Sequence, residues 1–127
     1  MFIKRKSMND QVTIQDLMDR LADFFLPERA AGIQAVVQFE LSGEQGGKWI
    51  VRIGENSCQV AKGSAESADL IFQASAQDVL DIFYDRLEPM SAYMQGRLRL
   101  KGNMGLAYKI FGLFELDSDK LHKMRKQ

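Results

Sequence analysis

"RLRLKGNMGLAYKIFGLF", residues 97–114, changes its period halfway along. Leu98 and Leu100 alternate with Arg97, Arg99 and Lys101, the two-residue repeat of a strand with one apolar face. After Gly102 the apolar residues close up, and Asn103 stands where a helix N-cap belongs. From Met104 to Phe114 the one charged residue is Lys109. At about 100° per residue, Leu113, Leu106, Ile110, Phe114, Ala107, Phe111, Met104 and Tyr108 fill an arc of about 220°, whereas a core-facing stripe needs about 100°. A strand that runs straight into such a helix belongs to an α+β fold, and one flat sheet leaves part of the helix uncovered. Three coverings are open: another helix, an apolar ligand held between helix and sheet, or a second protein surface. Met90, Met94 and Met104 supply adaptable apolar bulk, and Tyr93 and Tyr108 add hydroxyls that can orient a head group. Gly105, Ala107 and Gly112 leave room beside the helix. These features tilt the reading toward an apolar-ligand pocket.

Upstream, Thr13 is an N-cap for a helix in which Ile14, Leu17, Met18, Leu21, Ala22 and Phe25 recur at helical spacing, ended by Pro27. The period then drops to two. Ile33, Ala35, Val37, Phe39 and Leu41 form one strand, Trp49, Val51 and Ile53 a second, Cys58–Ala61 a third and "DLIFQA" a fourth. Their short connections predict a four-strand antiparallel meander. Ser75 caps a helix with Val79, Leu80 and Phe83 as its stripe, and Pro89 opens a helical turn that stops at Gly96. The expected fold is therefore a five-stranded, mostly antiparallel sheet with helices on one face, and a single domain over residues 1–127. Residues 1–12 read as a basic N-terminal extension. Residues 116–127 read as a mobile segment with a short helix from Ser118, able to act as a lid.

The composition excludes several classes. The 127 residues carry 17 Lys plus Arg and 17 Asp plus Glu, so the whole chain has no bias toward a polyanionic partner. A hydrophobic content of 46% excludes general disorder, and no apolar run approaches the roughly 20 residues of a membrane span. The start has no signal-peptide apolar segment, and the lone Cys58 fits a reducing compartment, so a cytoplasmic setting is expected. His122 sits among Lys120, Lys123 and Arg125, a solvated position with nothing to tune it as a base. One His and one Cys far apart make no zinc site, and Cys58 in a strand reads as a small buried residue. No acid–base pair stands out, so no catalytic residue, metal or cofactor is expected. "KGNMG" could hold an anion on backbone N–H groups, yet it matches neither phosphate-loop pattern. Arg97, Arg99 and Lys101 lack interleaved aromatics, which argues against nucleic acid.

The run "EPMSAYMQGRLRLKGNMGLAYKI", residues 88–110, resembles the signature region of the sterol carrier protein type 2 family, the non-specific lipid-transfer proteins. The resemblance lies in Pro89, Ser91 with Ala92, Tyr93, Gly96, the alternation Arg97 to Lys101, Gly102 with Asn103, Met104, Leu106 and Lys109. "KWIVRI" is similar to the family's second strand, and "ADLIFQASAQDVLDIF" to its fourth strand and following helix. It implies a five-stranded sheet covered by helices, with an apolar tunnel that accepts acyl chains, sterols or phospholipids and does no chemistry. It implies ligand contacts from Tyr93, Met104, Tyr108 and Phe111; Phe72, Phe83, Met90, Met94, Leu98 and Ala107 complete the candidate lipid-binding set. The added rings Phe111 and Phe114 are expected to shorten the tunnel, and "MRKQ" lacks a peroxisomal address. The partners expected are a lipid or fatty acid and transient membrane contact. The alternative is an interaction or homodimerisation module that uses the exposed face of residues 104–114, and a third reading has the tunnel filled by protein.

Overall fold

The computed structural model describes residues 12–114. Expectations placed on residues 1–11 and 115–127, among them the lid, the Ser118 helix and His122, lie outside the described residues. Helix α1 (Ile14–Arg20) begins with the expected cap: Thr13 Oγ1 accepts from Asp16 N–H at 3.1 Å, and Asp16 Oδ2 accepts from Thr13 N–H at 3.2 Å. The helix tightens into a 3₁₀ turn over Leu21–Phe24, so the expected helix breaks into two pieces before Pro27, which opens a separate 3₁₀ turn over Pro27–Arg29. Val12, assigned to the extension, is already 2% exposed and belongs to the core.

Five strands follow: β1 (Ala35–Ser42), β2 (Gly47–Gly54), β3 (Ser57–Lys62), β4 (Leu70–Ser75) and β5 (Leu98–Gly102). Their order across the sheet is β3-β2-β1-β4-β5. The meander breaks after β3. Instead of pairing with β3, β4 crosses to the far side of β1 and runs parallel to it, with Val37 opposite Leu70 and Phe39 opposite Phe72. The other three pairings are antiparallel. Burial explains the swap. No residue of β3 is buried, as suits an edge, whereas β4 buries Leu70, Phe72 and Ala74 and needs neighbours on both sides.

Gln38 holds the crossover in place. It is 3% exposed on the sheet face without helices, where its Nε2 donates to Gly63 O at 3.0 Å and to Trp49 O at 3.4 Å. Its Oε1 accepts from Ala65 N–H at 2.6 Å, which pins the loop onto β1. Helix α2 (Ala76–Phe83) starts at the Ser75 cap, α3 (Pro89–Met94) at Pro89, and α4 (Met104–Ile110) at the Asn103 cap. The core lies between the helices and the sheet face that carries Val37, Phe39, Val51, Leu70 and Phe72.

Candidate functional site

Helix α4 does not continue as the helical wheel assumed. It ends at Ile110, Phe111–Leu113 form a 3₁₀ turn, and Phe114 is extended at φ −126°, ψ 145°. Phe114 thereby leaves the helix and packs on Phe25 at 5.7 Å between ring centroids. Leu26 N–H donates to Leu113 O at 2.8 Å, and Arg29 Nη1 donates to Gly112 O at 3.2 Å. The segment after α1 thus covers part of the surplus arc. At the other end Asn103 Oδ1 accepts from Leu106 N–H at 3.0 Å, while Asn103 N–H donates to Asp69 O at 2.8 Å. Gly102 is needed at that junction: its φ is +115°, and a Cβ there would overlap the Asp69 carbonyl. So α4 is pinned at both ends.

Between those pins its outer side exposes Met104 and Tyr108 beside the charged Lys109. Met104 is 47% and Tyr108 83% exposed, while Leu106, Ala107 and Ile110 are buried beneath. Helix α3 repeats the pattern. It buries Ala92 and presents Met90, Tyr93 and Met94 outward at helical spacing. These five are all the exposed large apolar side chains among the described residues, and both helices pack on β5. Free surfaces do carry single apolar residues, and here all five fall on two helices that both pack on β5.

Under this surface lies a chain of rings. Phe111, half buried, meets Phe72 edge-on at 5.4 Å and Phe83 at 5.7 Å, and Phe72 meets Phe39 at 4.7 Å. The ten candidates therefore divide into layers. Phe72, Phe83, Leu98 and Ala107 belong to the packed core; Phe111 bridges; Met90, Tyr93, Met94, Met104 and Tyr108 form the exposed rim. Leu100 on β5, outside the candidate set, is half buried and packs against the core, as its alternation with Leu98 signals.

The chemistry of the rest is plain. Among the described residues no three His, Cys, Asp or Glu side chains group closely enough to hold a metal. Burial pushes the Cys58 thiol up to about 11, so it stays protonated and behaves as a small packed residue. No described helix is long and apolar enough to cross a membrane.

Comparison with known proteins gives three kinds of match. The profile of the SCP-2 sterol transfer family matches residues 14–115. Hydroxysteroid dehydrogenase-like protein 2 of Bos taurus is 34% identical over 119 residues, 93% of this chain and 28% of that protein. The chain thus spans little more than a quarter of that relative's length. Among solved structures, the sec-alkylsulfatase Pisa1 from Pseudomonas sp. superposes with a TM-score of 0.70 at 19% identity, covering 78% of this chain and 16% of that one. Palmitated SCP2L2 from Aedes aegypti gives 0.61 at 23% identity, covering 77% of this chain and 90% of that one. At those identities the two structures share the fold with this chain.

Proposed function

Since the chain belongs to the SCP-2 sterol transfer family, we propose that it binds and carries amphiphilic lipids in the cytoplasm, with the α3–α4 rim as the ligand's point of contact and no covalent chemistry. The carrying observation is that all five exposed large apolar side chains of the described residues lie on those two helices. An acyl chain that reached past the rim toward Phe111 and Phe72 would gain about 0.8 kcal/mol per CH₂ removed from water. That gain requires only rough shape matching, so the expected specificity is broad. Tyr93 and Tyr108 keep their hydroxyls at the rim, where a polar head group would remain.

The contact of Phe111 with Phe72 and Phe83 favours one rival, in which protein fills the space between helices and sheet and the rim docks a protein. One titration separates the two. Displacement of a fluorescent fatty acid by saturated acids of 8 to 18 carbons should show affinity rising steadily with length. Affinity that is flat across the series means that the chain never enters, and the rim is then a docking face.

A further inference from the structure

The sheet face turned away from the helices carries a second, chemically different groove, of about 580 Å³. Its floor includes one row of side chains across four strands. Lys48 on β2 stands opposite Glu40 on β1, Glu40 opposite Gln73 on β4, and Gln73 opposite Arg99 on β5. Gln73 Nε2 donates to Glu40 Oε1 at 2.8 Å, which fixes the centre of the row. At one rim Arg97 Nη2 donates to Asp78 Oδ1 at 2.7 Å, and that carboxylate holds the guanidinium charged. Lys48 and Arg99 are exposed like Arg97, but neither has a carboxylate within ion-pair distance among the described residues.

We propose that this groove docks an extended acidic segment of a partner protein. Three strand spacings of about 4.8 Å put Lys48 and Arg99 about 14 Å apart. An extended chain advances about 3.4 Å per residue, so carboxylates four residues apart span about 14 Å as well. Laid across the strands, such a segment meets Lys48 with one acid and Arg99 with the other. The residue midway, at about 7 Å, lies between Glu40 and Gln73, where a cationic side chain can reach the Glu40 carboxylate that Gln73 holds. The pattern that fits is acid, spacer, cation, spacer, acid. A phospholipid surface fits less well, because its uniform negative charge would face Glu40 in mid-row. It would also leave the helical layer, with Met104 and Tyr108, turned away from the bilayer. A docked protein leaves that layer free, so this groove and the lipid-contact rim act independently.

The test is a titration of the ¹⁵N-labelled chain with the capped peptide glutamate–glycine–lysine–glycine–glutamate, followed by amide chemical shifts. The charge-swapped peptide lysine–glycine–glutamate–glycine–lysine and vesicles of phosphatidylcholine with one-fifth phosphatidylserine run in parallel. Shifts should concentrate at residues 40–42, 47–48, 73–75 and 96–99, and the first peptide should bind at least about five-fold more tightly than the second. The double variant Lys48→Glu/Arg99→Glu should weaken the first peptide about ten-fold or more, and Lys48→Gln/Arg99→Gln, which spares the fold, should weaken it several-fold. Three results overturn the proposal: no localised shift at millimolar peptide, equal binding of the two peptides, or vesicle binding that the variants abolish while peptide binding is absent.

Discussion

Helices α1 and α4 are both seven residues long, and both begin with a side chain that accepts from the backbone N–H three residues on. Their outer sides are opposite in character. α1 buries Ile14, Leu17 and Met18 to 2% exposure or less and turns Gln15, Asp19 and Arg20 to water. α4 buries Leu106, Ala107 and Ile110 and turns Met104 and Tyr108 to water, with Lys109 as its one exposed charge. Length and capping therefore do not account for the apolar exposure on α4. A helix present only to close the core looks like α1, and the surplus on α4 is what the proposed lipid contact would use.

The largest way to probe this contrast is Leu17→Ala. That side chain is fully enclosed, so its loss should cost about 2–5 kcal/mol in denaturant unfolding, with no change in which lipids bind. Phe111→Ala should cost less, about 1–2 kcal/mol, because Phe111 is half buried and gives up its contacts with Phe72 and Phe83 without emptying the centre. It should also shift preference toward bulkier or longer lipids. Equal damage from the two variants, with lipid preference unmoved, would erase the distinction and make Phe111 core.

Smaller effects sharpen it. Gly112 has nothing within 4 Å of where a Cβ would stand, and its φ lies outside the left-handed region. Gly112→Ala should raise stability by about 0.4–1 kcal/mol through the unfolded chain, visible as a higher unfolding midpoint. A drop instead would show that the turn after α4 needs glycine's freedom. Smallest is Tyr108→Phe. With 83% of the residue exposed, the unfolding midpoint should stay within error, while lipids with a polar head lose affinity by up to about 1 kcal/mol and head-group-free ligands lose none. Parallel losses for both ligand types would remove the hydroxyl from the account.

Much of this molecule is legible from local rules. The caps at Thr13, Ser75 and Asn103 form as read, because a hydroxyl or amide three residues before an N–H is a local geometric fact. The alternations of Val37, Phe39 and Leu41 and of Leu98 and Leu100 find the correct sheet face for the same reason. What the sequence hid is set at long range. Whether β4 pairs with β3 or β1 depends on which strand can bear exposure, and hairpin-length loops suggested the wrong neighbour. Gln38 looked like an outward polar residue of an alternating strand, yet it is buried under a loop 25 to 27 positions away. The rim residues Met90, Tyr93, Met94, Met104 and Tyr108 are singled out by their type and by a family resemblance, and the sequence carries no sign that they are exposed. Their exposure depends on which faces of α3 and α4 the sheet covers, and that is settled only by the tertiary packing.

The parallel pairing of β1 with β4 also sets a timetable for folding. β1, β2 and β3 are joined by short turns and can zip together in about 1–10 μs per hairpin. β4 meets β1 only by closing a loop between positions 33 apart, as in the bond from Val36 N–H to Asp69 Oδ2, and that closure carries a larger entropic cost. β5 pairs with β4 across separations of 24 to 32 positions, a closure of similar length, and α4 settles on both. Until then "AVVQFELS" is an open edge with Val37, Phe39 and Leu41 unshielded on one side. In a crowded solution of nascent chains, that edge is where one copy would most readily capture another.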